Sequence, residues 1–249
     1  MCLVLFSVCA ESQVDPLTSA GIAEFNAAYQ AWDGTRFGTA AELFRRAATN
    51  APRSCNTFHW LGTAEFHRLL HLRSLPANRT NAPVADALMS AALDALGTAV
   101  ELDPHQAESH ALLGTLLGMK IDGNLLRALR FGPRIEEHRK AAIRDGAGNP
   151  RVAYLLGTCQ FHTAHRSSAL RETLASFLAA KELFEAEARR PAGPLEPRWG
   201  YPSCLTFIGR TYERLGERGP ATDYFRKALS VHPADHLASE GLARTSGPP

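Results

Sequence analysis

Two histidine pairs in this 249-residue chain have a spacing that could do chemistry. His67 and His71 stand four apart in FHRLLH, one turn apart on a single helix face, which is ligand spacing for zinc. His162 and His165 form a second, looser pair. Yet no glutamate follows His67 and no third ligand is evident nearby, so both pairs are expected as solvated or groove histidines, with no metal. The five cysteines, Cys2, Cys9, Cys55, Cys159 and Cys204, contain no C-x-x-C, so buried free thiols are expected rather than a zinc knuckle or redox motif. Phosphate-binding G-x-x-x-x-G-K-[ST], nucleophile-bearing G-x-S-x-G and metalloprotease H-E-x-x-H are all absent. The reading is a non-enzyme without a cofactor.

Charge narrows the partners. A net charge of +2 is too small to suggest nucleic-acid binding by itself. Hydrophobic residues make up 45% and charged residues 21%, the composition of a folded soluble chain rather than a disordered one. Lysine occurs only at 120, 140, 181 and 227, which reads as a compositional bias of the genome. Between 127 and 151, Arg127, Arg130, Arg134, Arg139, Lys140, Arg144 and Arg151 face only Glu136, Glu137 and Asp145. That excess is expected on an ordinary solvated surface, with contact to an acidic partner as the alternative.

The elements that hold these groups are helices. In FIGRTYERLGERGPATDYFRKALSVHP (207–233), Leu205, Ile208, Tyr212 and Leu215 recur at the helical period. Gly216 supplies a stop, and Pro220 suits the first turn of a second helix. Ala221, Tyr224, Phe225, Ala228 and Leu229 follow until Pro233 forbids continuation. Two antiparallel helices result, with Gly209, Ala221 and Ala228 allowing close approach beside Tyr212 and Phe225.

The hairpin recurs. The step from a branched aliphatic to glycine appears at Leu61-Gly62, Leu113-Gly114, Leu156-Gly157 and Ile208-Gly209. Second-helix signals appear as Ala40/Phe44/Ala47/Pro52, Ala92/Leu96/Ala99/Pro104 and Ala221/Phe225/Ala228/Pro233, with the same offsets each time. Weaker copies pair 106–120 with 134–150 and 151–165 with 170–191. Three insertions interrupt the spacing: a proline- and asparagine-bearing loop at 72–87, a short helical piece at 121–133 between Gly123 and Pro133, and the linker RPAGPLEPRWGYP at 190–202. Trp199 in the last is expected to plug against a neighbouring helix, with a partner anchor as the alternative.

This pattern resembles the tetratricopeptide repeat, a helix–turn–helix unit of about 34 residues. In the last copy Gly209, Ala221 and Ala228 fall at the family's small positions, Tyr212 and Phe225 at its bulky ones, and Pro233 at its closing proline. The resemblance spans residues 21–245. It implies an all-α solenoid, an α-α superhelix of about five imperfect hairpins with inserted loops, whose stacked units leave a concave groove. Residues 1–20 are then a separate N-terminal segment and 246–249 a disordered tail.

Carried onto this sequence, the family's groove positions give Phe25, Tyr29 and Trp32 in the first copy. They give His59, Thr63, Phe66 and His67 in the second, and Thr115, Gly118 and Met119 in the third. The fourth copy offers Tyr154, Thr158, Phe161 and His162, and the fifth Thr206, Arg210, Glu213 and Arg214. Such a groove is aromatic and histidine-rich at one end and arginine-bearing at the other, which suits a peptide or ligand; core packing is the competing reading of the aromatics. A short array can also fold a terminal helix into its own groove. Family members that clamp a chaperone's C-terminal carboxylate use lysine and asparagine in this row. Phe25 and Tyr29, His59 and Thr63, Ala111 and Thr115, and Tyr154 and Thr158 stand there instead, so that clamp is absent.

The expected function is a non-catalytic scaffold or adaptor binding a protein segment in the groove. The alternative is an accessory protein that closes its inserted segments over a small molecule or lipid. MCLVLFSVCA at 1–10 has an apolar run and a small-residue end resembling a secretory signal, which points to the periplasm or cell envelope; an apolar N-terminus on a cytoplasmic protein is the alternative. Cys9 could carry a lipid and so tie the chain to a membrane. No later apolar run approaches a membrane span. Asn78-Arg79-Thr80 matches a glycosylation acceptor.

Overall fold

Side chains satisfy free backbone donors of the first turn at several helix starts. Asp15 accepts from the Thr18 amide, Asp33 from Thr35 and Arg36, Ser54 from Thr57, Asn124 from Arg127, and Asn149 from Arg151 and Val152. Pro16 and Pro150 stand in first turns, where a missing N–H is harmless.

In the computed structural model, which describes residues 15–76 and 81–246, the described residues form eleven helices and no strand. In order they are α1 (Pro16–Ala31), α2 (Gly34–Asn50), α3 (Cys55–Ser74), α4 (Asn81–Leu102), α5 (Ala107–Ile121), α6 (Leu125–Asp145), α7 (Pro150–Thr163), α8 (Ser167–Ala188), α9 (Tyr201–Arg214), α10 (Arg218–Val231) and α11 (His236–Ser246). Consecutive helices pair into five hairpins, and α11 closes the stack against α9 and α10. Odd-numbered helices touch one another in succession and make the inner row.

The repeated glycine has a packing cause. A Cβ at Gly209 would come within 2.8 Å of the Phe225 ring, and one at Gly157 within 2.7 Å of Phe177. The first helix of each of these hairpins therefore lies directly on an aromatic ring of the second. Gly114 lacks such a neighbour, which fits the weaker pattern of the third copy.

Several boundaries differ from the sequence expectation. Helix α1 begins at Pro16, where Asp15 caps it, five residues ahead of the repeat resemblance that starts at 21. The loop expected at 72–87 is shorter, since α3 runs to Ser74 and α4 starts at Asn81. The piece at 121–133 is not a separate helix: α6 continues through Pro133, giving up one backbone hydrogen bond while the rest of the helix lies along α5. Helix α4 is long and apolar enough by composition to cross a membrane, and here it packs along α3. Ser246 ends α11; the run at 1–10 with Cys2 and Cys9, the acceptor at 78–80 and the tail at 247–249 lie outside the described residues.

Candidate functional site: the concave face

The inner row closes on itself at one end. Tyr29 of α1 meets the start of α9, where its hydroxyl accepts from the Gly200 amide at 3.1 Å. His232, just after α10, lies 2.7 Å by Nε2 from the Tyr29 carbonyl and stacks on its ring. Linker 190–200 enters the same space: Trp60 Nε1–H donates to the Leu195 carbonyl at 3.1 Å, and Trp199 sets its ring edge-on to His67 at 4.9 Å. Trp199 is 2% exposed, so it is the internal plug. His67 donates from Nδ1 to the Thr63 carbonyl at 2.8 Å and is ringed by Phe25, Tyr29, Phe37 and Phe66. Burial pushes its imidazole down to about 4, so it is neutral near pH 7.

The residues taken for groove lining therefore divide. Phe25, Tyr29, His59, Phe66 and His67 are buried in the closed end, and Tyr154 and Phe161 are buried farther along. Trp32 is half-buried, with a left-handed backbone (φ 50°), and donates from Nε1 to Ser74. Arg210 is half-buried, whereas His162 and Arg214 are exposed. The physical reason is the linker: an open array would leave these aromatics in solvent, but segment 190–200 and the last hairpin cover them.

An open end remains between α7 and α9. Phe161 and Phe207 meet edge to face at 5.2 Å, with His162 beside both. The Arg210 guanidinium lies 5.0 Å from the Phe161 ring and 4.9 Å from Phe207. Arg214 covers Phe161 from 4.8 Å and donates to the carbonyls of Phe161 and Ala164. Burial, then the charges of Arg210 and Arg214, lower the His162 imidazole; burial lowers Arg210 as well. Among the described residues Arg210 has no carboxylate partner. Such an arrangement can receive an anionic group over an aromatic floor.

A polar network that sequence reasoning missed lies beneath a cleft of about 400 Å³ bounded by Asn56, His59, Glu108, Arg151, Glu187 and Leu195. Arg151 Nε donates to Glu108 at 2.8 Å, while its Nη1 and Nη2 donate to the two Glu187 oxygens at 2.9 and 2.7 Å. All three residues are buried, so Arg151, expected on a solvated surface, is instead a core cation. Burial works to raise the Glu108 carboxyl, but Arg151 and His59 outweigh it and hold it at about 2. Burial works to lower Arg151, and the two carboxylates outweigh it in turn and raise it. His59 sits 2.8 Å by Nδ1 from Ser109 and 3.4 Å by Nε2 from Glu108. Neighbouring Asn149-Pro150 marks a helix start, but no local pattern tells that the next residue points inward.

Among the thiols, Cys204 is buried and pushed up to about 12 by that burial, whereas Cys55 and Cys159 are half-buried, short of the burial expected for them.

No family model and no curated protein sequence matches the chain. Solved structures do. TTC0263, a thermophilic TPR protein of Thermus thermophilus, shares 16% identity, with 91% of this chain and 98% of that one covered at a TM-score of 0.62. Human IFIT1, as a dimer with m7Gppp-AAAA, shares 18% identity over 85% of this chain and 47% of its own, at 0.46. YrrB, a TPR protein with an unusual peptide-binding site, shares 16% identity over 91% and 97%, at 0.41.

Proposed function

On the premise that the chain has a tetratricopeptide-like solenoid fold, we propose that it is a non-catalytic adaptor. It captures an acidic protein segment at the open end of its concave face. The observation that carries this reading is Arg210, suspended over Phe161 and Phe207 without a carboxylate partner among the described residues. Exposed Arg214 extends the same charge, and the exposed His162 ring lies beside it. A peptide carboxylate meeting Arg210 would form a charge-assisted bond above a ring that excludes water. Fold alone does not assign this role, which rests on the site.

The test is selection from a random peptide library displayed on phage. Enrichment of acidic segments by the wild type, lost with Arg210→Glu at unchanged thermal stability, is the expected result. No enrichment, or equal enrichment by the variant, removes the reading. Alanine at Tyr154 or Phe161 would be a poor probe, because both are core residues.

A second reading rests on the cleft beside Glu108. Linker residues Leu195, Glu196 and Pro197 roof it, and its walls are mostly polar, so its occupant would be a small polar molecule rather than a lipid. Native mass spectrometry of protein from its own host separates the two: a bound polypeptide favours the adaptor, a small added mass the cleft. In our reading the adaptor works at the cell envelope, on the strength of the apolar run at 1–10. Recovery from the cytoplasmic fraction with Met1 still in place would remove that assignment.

A further inference from the structure

Helix α6 has two unlike halves. Its buried residues, Ala141 and Ala142, lie toward its C-terminal end, and nothing from Asp122 to Arg134 is buried. Leu125, Leu126 and Leu129 are 74%, 77% and 69% exposed, the largest exposures among the large apolar side chains described. Their spacing places them on one face of the first turns. Arg127, Arg130 and Arg134, three and four residues apart, run along its flank.

Charge around this face is one-sided. No acidic residue occurs from Gly123 to Ile135. The other cations of the segment are engaged: Arg139 and Lys140 with Glu136, Arg144 with Asp145, and Arg151 with Glu108 and Glu187. Arg127 only donates to the Lys120 carbonyl, at 3.4 Å, and Arg130 lies over Phe131 at 5.5 Å. Neither they nor Arg134 has a carboxylate partner among the described residues. The basic excess of this stretch thus condenses onto the three arginines beside the three leucines.

We propose that the N-terminal half of α6 docks on an anionic lipid surface. A projecting knob of leucines has no groove to receive a peptide, whereas the headgroup–acyl boundary accepts convex apolar side chains directly. Unpaired arginines flanking it complement anionic headgroups, each worth about fivefold in binding at such a surface.

The test is co-sedimentation of the full chain with vesicles of phosphatidylcholine, with and without phosphatidylglycerol. Binding is expected only to the anionic vesicles and to weaken with salt. Replacing Leu125, Leu126 and Leu129 together with serine should lower it at least about tenfold, and Arg127→Gln with Arg130→Gln about twenty-five-fold. These side chains are exposed, so the fold, followed by circular dichroism, should persist. No binding to anionic vesicles overturns the proposal. So does binding indifferent to these substitutions, which would assign it to another segment such as 1–10. A dimer in light scattering that the leucine variant abolishes, without vesicle binding, would assign the face to a second copy. Capture of polyglutamate without vesicle binding would assign it to an acidic protein; either result overturns the lipid.

Discussion

The Gly200 amide donates to the Tyr29 hydroxyl at 3.1 Å, joining residues 171 apart in the chain. This contact pins the linker against the first helix and closes the concave face at that end. Tyr29→Phe would keep the ring but leave a buried amide without its acceptor, a loss of about 1–3 kcal/mol. Limited proteolysis should then cut within 190–200 faster than in the wild type, and the melting temperature should fall. Unchanged cleavage and melting would show that the closure does not depend on this bond.

The glycines give a paired prediction with opposite signs. Gly209 lies under Phe225, so Gly209→Ala pushes a methyl into a fully buried ring and should cost about 1–3 kcal/mol. Gly97, inside α4, has no heavy atom within 4 Å of the same added Cβ. Gly97→Ala should therefore stabilise by about 0.5–1 kcal/mol through helix propensity. Chemical denaturation of both variants checks the pair. If both destabilise equally, the ring contact is not what sets the repeat.

Period and punctuation made the hairpins legible. Gly209 with Phe225 and Gly157 with Phe177 are local consequences of two helices crossing closely, so the fold class was readable. The site was less so, because closure is long-range. Nothing near Phe25, Tyr29 or His67 in sequence tells that Trp199 will cover them. Arg151 was hidden for the same reason: its two carboxylate partners lie 43 and 36 residues away, one in the preceding hairpin and one near the far end of its own. Arg210 and Arg214, which the repeat pattern assigned to the arginine-bearing end, do meet on Phe161 because adjacent hairpins bring α7 and α9 together.

Acid should loosen the closed end through His67. Its folded value of about 4 lies below the ordinary 6.5, because burial disfavours the charged ring. Stability from this group is therefore complete above the unfolded value and declines as pH falls from 6.5 toward 4. Between pH 7 and 5 the loss amounts to about 2 kcal/mol. His138, also near 4 from burial and from His110, adds to the wild-type slope, so the variant must be compared with the wild type at both pH values. His67→Phe, of similar size, should lose less stability on acidification than the wild type does. Equal losses would mean that His67 is protonated without opening the core.

The Arg151 network should respond to acid in the opposite relative sense. Arg151→Met leaves Glu108 and Glu187 buried without their shared cation, and removing one member of such a set costs about 3–5 kcal/mol. In the wild type the Glu108 carboxylate stays charged down to about 2, so its contribution is present above 4.5 and is lost only as pH falls through that lower value. In the variant the Glu108 carboxyl loses the guanidinium that favours its ionisation, and burial then favours its protonated form. The destabilisation relative to wild type should thus be large at pH 7 and shrink toward pH 4. Adding Glu108→Gln and Glu187→Gln to Arg151→Met removes the stranded charges and should restore much of the loss at pH 7. Urea denaturation of the single and triple variants at both pH values reads the effect. A penalty that is independent of pH and not relieved in the triple variant would assign the role of Arg151 to packing rather than charge.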